Sequence, residues 1–323
     1  MGQIKWNDKV KLVLSDVDET VADLYLPALP EMISELNKVL ESGVAIFLIS
    51  GHGLAGIQER ITNHIKPELR NKLLIGHCCG AEVWGFTKEG NLKDRPYYSK
   101  YEEKMSPAQK EKWRRVVEQV VREFELIKYP TMPVQKFKEK AGSSPLAVMY
   151  EDRGPQITFE VVNGFDMTHE QAKDLEVMIP ETHGLYDLRI PILERADVLF
   201  KEFGLPVVSR LAGVFALDFG IEGVSKTLAV KKVLEEEEIL KSVGLSLDDV
   251  SEPEHLEIWA DKFSTTFGGF DRYLSMAVGS KVRAIDFRPE DPKEFMTGYN
   301  VQVWDGKKHL HEGLLEYLQS RGK

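Results

Sequence analysis

One stretch decides the fold of this chain: Val10-Lys11-Leu12-Val13-Leu14-Ser15-Asp16-Val17-Asp18-Glu19-Thr20. An apolar run of strand length leads directly into two carboxylates, Asp16 and Asp18, and then into a threonine. Ligands of parallel sheets bind at the carboxyl ends of the strands, so two acids two residues apart on the following loop can reach one small site. Such a pair suits a metal-dependent reaction on an anionic substrate, because one carboxylate can be nucleophile and ligand while the other transfers a proton. An acidic turn that simply ends the strand is the alternative interpretation of this stretch.

The composition is that of a folded protein with room for two domains. The chain has 323 residues, of which 42% are hydrophobic and 29% are charged. Its formal net charge of -10 argues against nucleic acid or an anionic membrane as a partner. No apolar run is long enough to span a membrane, and the N-terminal residues lack the apolar region of a signal peptide. We therefore expect a cytoplasmic protein.

The two cysteines, Cys78 and Cys79, are adjacent and are therefore poorly placed for a disulfide. Together with His77 they could form part of a soft metal site, but the sequence has no further cysteine to complete one. Burial in the core is the role that we favour for this triplet.

Helix and strand patterns alternate along the first part of the chain. Apolar residues at helical spacing predict a helix over Leu29–Glu41, and Gly43 ends it. The continuous apolar run Val44–Ile49 is typical of a strand that is covered on both faces. A helix to about Ile65 and a short strand at Lys72–Gly76 follow. This alternation predicts an α/β fold with a Rossmann-like parallel sheet and right-handed crossovers.

A block that mixes helices with antiparallel hairpins interrupts this alternation near Gly90. Its patterns predict, in order, helix Pro107–Leu126, strands Leu146–Tyr150 and Gln156–Val161, helices at about His169–Met178 and Ile192–Phe203, and strands Val207–Leu211 and Val214–Phe219. We interpret residues 93–217 as an inserted α+β domain, and residues 1–92 and 218–323 as the two parts of the core domain.

The α/β pattern resumes in the C-terminal third. The predicted elements are a helix that begins at Lys226 and contains the acidic run Glu235–Glu238, a strand Leu256–Ala260 that ends at Asp261, strands Lys281–Phe287 and Tyr299–Val303, and a helix His309–Leu318. The acidic run is most simply a solvated helical face.

Several polar groups follow core strands or begin a helix, and they occur in a recognisable order. They are Asp16 and Asp18, Ser50-Gly51, Lys226, and Asp261. In residue type, order and position this set resembles the haloacid dehalogenase superfamily. Members of that superfamily have an Asp-x-Asp-x-Thr loop, a Ser or Thr after the second strand, a Lys, and a late Asp after a fourth strand. The resemblance covers nearly the whole chain, and the inserted block resembles the second-type cap domain of the superfamily in its place before Lys226.

Two local segments are similar to one branch of the superfamily. Val224–Ala229 looks like the lysine motif of that branch. Ala260-Asp261-Lys262 followed by Gly268-Gly269-Phe270-Asp271 looks like the metal loop of the eukaryotic-type phosphomannomutases and their sugar-phosphatase relatives. The loop is slightly longer here, and Phe270 stands where an Asn is usual. Glu19 replaces the common Gly of the first loop, which reduces backbone freedom there.

The resemblance implies a Mg2+-dependent phosphatase that hydrolyses a small phosphorylated metabolite, in particular a sugar phosphate, through an aspartyl-phosphate. Asp16 would be the nucleophile, and the side chain of Asp18 would be the general acid and base. The phosphoryl oxygens would be held by Ser50, the Gly51 N–H and Lys226. The Mg2+ ligands would be Asp16, the main-chain carbonyl of Asp18, and Asp261, with Asp271 supporting the metal shell. The inserted domain would close over the site and select the substrate.

Two other functions remain open from the sequence. A phosphomannomutase-like mutase would use the same aspartyl-phosphate and return the phosphoryl group to a second hydroxyl. A catalytically silent protein would only bind a sugar phosphate. The segment Gly51–Gly56 also matches the dinucleotide-binding pattern G-x-G-x-x-G, but it follows the second strand, and no acidic residue ends the next one. Neither the physiological substrate nor the oligomeric state follows from the sequence.

A few polar residues have no assigned part in this scheme. His52 is adjacent to the predicted phosphate loop, and its role stays open. For the lone histidines His309 and His311 we favour structural roles. Substrate contacts in the inserted domain could come from three polar residues, for each of which a surface role is favoured: Glu160, Asn163 and Arg189.

Overall fold

The computed structural model describes residues 4–175, 177–266 and 269–321. The chain forms two compact units, of which one combines Met1–Ser99 with Val224–Lys323 and the other is Lys100–Gly223. The second unit is therefore an insertion in the sequence of the first. The first division lies beyond the predicted boundary at residue 92, because the segment up to Ser99 contributes a strand to the sheet of the first unit.

The helices and strands are as follows, in chain order. The N-terminal part of the first unit forms β1 (Leu12–Ser15), α1 (Pro30–Glu41), β2 (Ala45–Ile49), α2 (Leu54–Arg60), β3 (Leu73–His77), β4 (Glu82–Gly85) and β5 (Tyr98–Ser99). The second unit forms α3 (Lys100–Lys104), α4 (Pro107–Glu123), β6 (Ile127–Tyr129), α5 (Val134–Ala141), β7 (Ala147–Asp152), β8 (Gln156–Glu160), α6 (His169–Ala172), β9 (Glu181–Thr182), β10 (Leu185–Tyr186), α7 (Arg189–Glu202), β11 (Val207–Ala212) and β12 (Ala216–Ile221). The C-terminal part of the first unit forms α8 (Lys226–Glu235), α9 (Glu237–Ser242), β13 (Leu256–Ala260), α10 (Arg272–Val278), β14 (Arg283–Asp286), β15 (Val301–Val303) and α11 (Leu310–Gln319).

The sheet of the first unit has the strand order β15-β14-β13-β1-β2-β3-β4-β5. Neighbouring strands from β15 to β3 are parallel, whereas β4 and β5 are antiparallel additions at one edge. In the centre of the sheet, Leu12 of β1 pairs with Leu256 of β13 on one side and with Ala45 of β2 on the other. Buried apolar side chains cover both faces of this sheet, as the continuous apolar runs predict. The predicted α/β fold with a Rossmann-like parallel sheet is confirmed.

The predicted helix at Leu29–Glu41 shows how local signals and packing agree. Pro30 occupies the first turn, where its missing N–H and fixed φ are tolerated. The side chains that recur at helical spacing are buried in the core: Met32, Ile33, Leu36, Val39 and Leu40. The helix therefore covers one face of the sheet with an apolar stripe.

The second unit has its own five-stranded sheet, in the order β11-β12-β8-β7-β6. The pairs are antiparallel except β6 with β7, which is parallel. Phe159 of β8 and Phe219 of β12 pack edge to face with ring centroids 5.0 Å apart, and Phe200 of α7 packs against Phe219 at 5.6 Å. The inserted block is thus an α+β structure in which helices cover an antiparallel-dominated sheet.

Two predicted helical segments differ in the structure. Thr168 caps a helix at His169, but α6 ends at Ala172, the buried residue of this short helix. With so little apolar surface to bury, this short helix gains too little from packing to extend further. The rest of the predicted helix includes Glu176, which lies outside the described residues. The acidic run is also not one helical face, because Glu236 is non-helical (φ -101°, ψ 102°) and separates α8 from α9.

The structure also bears on the membrane and cysteine predictions. No helix in the described ranges has the length and the hydrophobicity needed to cross a membrane. Cys78 is buried and Cys79 is partly exposed, and neither forms a disulfide. The ring of His77 contacts Cys78 Sγ at 3.3 Å through Nδ1 and the buried Glu82 carboxylate at 2.9 Å through Nε2. These contacts agree with a structural role for the triplet.

Candidate active site

The polar groups singled out in the sequence meet at the carboxyl ends of the central strands. Asp16 follows β1, Ser50 follows β2 and Asp261 follows β13. These three strands are neighbours and run parallel, so their carboxyl ends lie at one edge of the sheet. The N–H of Asp16 donates to the Trp259 carbonyl at 2.9 Å, which continues the ladder into the loop. The register of the sheet thereby brings residues from distant parts of the chain together.

Three buried carboxylates form the centre of the site. One oxygen from each of Asp16, Asp261 and Asp271 lies within 4.8 Å of the others. Lys226, the first residue of α8, donates from Nζ to Asp16 Oδ1 at 2.5 Å and to Asp271 Oδ1 at 2.7 Å. Ser225 caps this helix, since its hydroxyl accepts a hydrogen bond from the Leu228 N–H. The cap of α8 therefore aims the lysine at the carboxylates.

The loop that carries Asp261 and Asp271 is folded tightly on itself. Asp271 Oδ2 accepts the N–H of Lys262 at 3.1 Å and that of Asp261 at 3.4 Å. A Cβ on Gly269 would lie 2.4 Å from the Lys262 carbonyl oxygen, so this turn has no room for a side chain. Gly268 of the predicted motif lies outside the described residues, and Phe270 is exposed. Asp271 thus supports the loop and at the same time pairs with Lys226.

Burial and mutual repulsion shape the charges of this cluster. Burial is the main cause that raises the pKa of Asp16 well above its usual value, and the charge of Asp271 is the next. The ammonium of Lys226 lowers this pKa, but by less. The same two causes raise the pKa of Asp261 to about 6. Burial alone would lower the pKa of Lys226, but the Asp16 and Asp271 carboxylates overcome it and raise this pKa above its ordinary range. The lysine is therefore charged at any working pH.

The donor set fits a hard divalent cation such as Mg2+. Three converging carboxylates supply oxygen ligands of the kind that Mg2+ prefers in proteins. A cation would also relieve the repulsion that raises the pKa of Asp16 and of Asp261. The residues that could hold it are Asp16, Asp261 and Asp271.

The Asp18 carboxylate is held by three other side chains. Arg60 Nη1 donates to Asp18 Oδ1 at 2.8 Å, the Ser50 hydroxyl donates to Oδ2 at 2.9 Å, and His52 Nε2 lies 3.2 Å from Oδ1. Burial alone would raise the pKa of Asp18, but His52 and Arg60 hold it well below its usual range. The two acids of the first loop therefore have opposite environments, since the pKa of one is raised and that of the other is lowered.

Comparisons with known proteins bear on the fold. No protein-family model matches the sequence, and no curated protein matches it either. Among solved structures, a haloacid dehalogenase-like hydrolase from Bacteroides thetaiotaomicron is 14% identical, with a TM-score of 0.53 over 95% of this chain and 99% of that one. A trehalose-6-phosphate phosphatase related protein is 10% identical, with a TM-score of 0.51 over 95% of each chain. This chain has the haloacid dehalogenase fold. At such identities the likeness concerns the fold, and the activity has to be argued from the site.

A second ionic group lies beside the carboxylate cluster of this haloacid dehalogenase fold. Arg288 donates to Asp261 Oδ2 at 2.7 Å and to Glu19 Oε2 at 2.5 Å, and Lys262 Nζ lies 3.4 Å from the same Glu19 oxygen. Glu19 adopts the left-handed region at φ 59°, the conformation that the common Gly of this loop takes without strain. The ion pair with Arg288 therefore holds a non-glycine residue at a position that favours glycine.

Sequence patterns did not identify Arg60 or Arg288. Arg60 lies on the buried face of α2 together with Ile57. A cation on an apolar helix face is the sequence feature that could have identified it. Arg288 follows β14, the strand next to β13. Its position after a parallel strand that ends at the same edge of the sheet is the feature that could have identified it.

Other candidates lie outside this group of contacts. His309 precedes α11 and His311 is within its first turn, which leaves their predicted structural roles in place. For Glu160 and Arg189 the predicted surface roles are wrong, since both side chains are buried. Arg189 pairs with Asp187 and donates to the Val214 carbonyl, so it ties the start of α7 to the β11–β12 turn. Its burial follows from tertiary contacts that a helical pattern does not encode.

Asp286 should make the free energy of unfolding depend on pH. This carboxyl ends β14 and is fully buried, and burial followed by the charge of Glu290 raises its pKa to about 9 from an ordinary value of 3.8. Between these two values the folded protein binds a proton that the unfolded chain has released. The free energy of unfolding should therefore fall by up to about 1.4 kcal/mol per pH unit as the pH rises through this window. Asp286→Asn has no charge to bury, so we expect a shallower slope in urea unfolding with EDTA.

The control for this prediction is Asp291→Asn, a change at an exposed residue whose carboxylate accepts the Lys293 N–H. We expect it to leave the slope as it is in the wild type. An Asp286→Asn variant that loses stability with rising pH as steeply as the wild type would contradict the assignment.

Proposed function

We propose that the protein is a Mg2+-dependent phosphatase that hydrolyses a small phosphorylated metabolite, in particular a sugar phosphate, through an aspartyl-phosphate. The observation that carries this proposal is the contact of Lys226 with Asp16 inside a cluster of three buried carboxylates at the carboxyl ends of parallel strands. An acid at this position with a charged lysine on one oxygen has the other oxygen available for attack on phosphorus. A simple acidic turn would not bury three converging carboxylates, two of them paired with one ammonium.

The proposed reaction has two successive steps, in which the residues have different roles. In the first, an Asp16 oxygen forms a bond to phosphorus while the bond from phosphorus to the leaving oxygen breaks. Asp18 gives that oxygen a proton, which its carboxylate has to take up beforehand because His52 and Arg60 favour the ionised form. In the second, Asp18 takes a proton from water, the water oxygen attacks phosphorus, and the Asp16 carboxylate leaves. Lys226, Ser50 and the Gly51 N–H would hold the phosphoryl oxygens, and residues 93–217 would select the substrate. Bound Mg2+, held by Asp16, Asp261 and the Asp18 main-chain carbonyl with support from Asp271, would neutralise charge on the phosphoryl group.

The test is a panel of phosphorylated metabolites, assayed for release of inorganic phosphate with Mg2+ and with EDTA. One protein of the same fold is described as trehalose-6-phosphate phosphatase related, so the panel includes trehalose 6-phosphate beside hexose phosphates and nucleotides. Asp16→Asn, which keeps the side-chain shape without a nucleophilic oxygen anion, should lower phosphate release at least about 1,000-fold. Its Tm in EDTA should not fall, because the change removes one of the crowded charges.

Three outcomes would point elsewhere. Equal phosphate release by wild type and Asp16→Asn would exclude Asp16 as the nucleophile. Isomerisation of a hexose 1-phosphate in the presence of an activating bisphosphate would indicate the mutase. Binding of a sugar phosphate without Mg2+-dependent turnover of any panel member would indicate the silent binding protein.

A further inference from the structure

Arg60 is a buried cation whose guanidinium donates a hydrogen bond from each of its three nitrogens. It is the last residue of α2 and is 6% exposed. Nε donates to the Leu26 carbonyl at 2.9 Å, Nη2 to the Asp23 carbonyl at 2.7 Å and Nη1 to Asp18 Oδ1 at 2.8 Å. Buried arginines persist when they are paired, and this one joins one carboxylate to two main-chain carbonyls.

These contacts fix the direction of the Asp18 carboxylate. The guanidinium is planar, so once two of its nitrogens are held by main-chain carbonyls, the direction of the third donor is set. The Ala28 N–H in turn donates to the Arg60 carbonyl at 3.0 Å, which closes the segment from Asp23 to Ala28 around this side chain. Asp18 therefore presents Oδ1 to a rigid donor rather than to a flexible one.

The second oxygen of Asp18 has a different partner. Oδ2 accepts a hydrogen bond from the Ser50 hydroxyl at 2.9 Å. A hydroxyl hydrogen can rotate, so this oxygen can give or take a proton without movement of heavy atoms. The Asp18 side chain is 22% exposed, which leaves it within reach of small molecules.

Arg70, another arginine of the same unit, anchors a loop in a similar way but does not contact a proposed catalytic residue. Arg70 donates from Nε to the Ile65 carbonyl at 3.0 Å and from Nη2 to the Asn63 carbonyl at 2.8 Å. Like Arg60, it fastens a loop through two main-chain carbonyls, but its third contact, from Nη1, is to the Gly90 carbonyl at 3.5 Å and not to a carboxylate of the site. Arg60 differs by its contact with Asp18.

We propose that Arg60 is a positioning residue for proton transfer, which holds Asp18 Oδ1 so that Oδ2 faces the leaving oxygen of the substrate. This inference rests on the proposed phosphatase function. In the step concerned, the bond from phosphorus to the leaving oxygen breaks, and that oxygen takes the proton that Asp18 has bound beforehand. This proton lies on Oδ2, because Arg60 donates to Oδ1. A leaving group that is stable as an anion has little need of this proton, whereas a basic one depends on it.

The experiment compares kcat/KM of wild type and variants on a series of substituted phenyl phosphates, from 4-nitrophenyl phosphate to phenyl phosphate. This parameter reports aspartyl-phosphate formation, the step in which the leaving group departs. For Arg60→Met we expect a loss of about 10- to 100-fold on phenyl phosphate and of about threefold or less on 4-nitrophenyl phosphate. The dependence of rate on leaving-group basicity thereby becomes steeper. For the matched control Arg70→Met, any loss should be the same on both substrates.

A second variant is available if Arg60→Met does not fold. Arg60→Met removes one donor from each of the Asp23 and Leu26 carbonyls, so its Tm is measured first. If it does not fold, Arg60→Gln takes its place, because a shorter amide can still donate to a loop carbonyl while Asp18 loses its contact with the guanidinium. A loss that is equal across the series in the folded variant, or a gain on phenyl phosphate, would overturn the positioning role and leave the phosphatase standing. Failure of the wild type to release phosphate from any member with Mg2+ would overturn both.

Discussion

Lys226→Met is expected to destabilise the metal-free protein by about 3–5 kcal/mol and to lower phosphate release at least about 100-fold. The ammonium of Lys226 pairs with both Asp16 and Asp271, so its removal leaves buried carboxylates uncompensated. The destabilisation should shrink as the pH falls below about 6, since the raised pKa of Asp261 and that of Asp16 let these groups take up protons. Urea unfolding in EDTA at several pH values measures this loss, and added Mg2+ should recover part of it.

The control for this change lies on the same helix. Lys232 pairs with Glu236 at 3.5 Å in an exposed i,i+4 contact. Lys232→Met should therefore change stability by no more than about 0.5 kcal/mol and leave phosphate release as it is. If the two lysine variants unfold at the same urea concentration, the buried ion cluster does not have the energetic role described.

Arg283→Met should cost a similar amount of stability, about 3–5 kcal/mol, with no loss of turnover by the folded protein. Its partner, Glu257, is fully buried near the start of β13, away from the strand end that carries Asp261. Arg283 contacts the Glu257 carboxylate through Nε and Nη2, while Tyr317 donates to it at 2.8 Å and Trp259 at 2.7 Å. Without the guanidinium, a carboxylate with neutral donors alone is left in the core. Urea unfolding and kcat are measured together.

A second substitution separates charge burial from lost packing. In Arg283→Met with Glu257→Gln, no charge is buried, and the glutamine oxygen can still accept from Trp259 and Tyr317. We expect the double variant to be more stable than Arg283→Met alone. An Arg283→Met protein as stable as the wild type, or one that folds but has lost turnover, would contradict this separation of stability from activity.

The sequence was most informative where a functional residue directly follows an apolar strand. Asp16, Ser50 and Asp261 were located in this way, because the carboxyl ends of neighbouring parallel strands must lie at one edge. Lys226 followed from the resemblance, and its place at the start of a helix is a local feature. The assignment of catalytic and metal-binding roles to these residues stays a prediction.

The sequence was least informative about contacts that depend on how elements pack. Arg60 reaches Asp18 across 42 positions and Arg288 reaches Glu19 across 269, and no periodicity encodes such pairs. The antiparallel strands β4 and β5 were missed because β5 has only two residues, and the four residues of β4 include a glutamate and a glycine and show no strand pattern. Arg189 is predicted at the surface because the main-chain carbonyl that it reaches, that of Val214, lies in a turn more than twenty residues later.

The pairing of β1 has a consequence for the order in which the molecule can assemble during synthesis. β1 has β2 as one neighbour, but its other neighbour, β13, leaves the ribosome only after the whole of Lys100–Gly223 has been translated. At roughly 5–20 residues per second, the nascent chain waits on the order of tens of seconds for that strand. During this interval one edge of β1 is unpaired, and the inserted unit can fold while its host is incomplete.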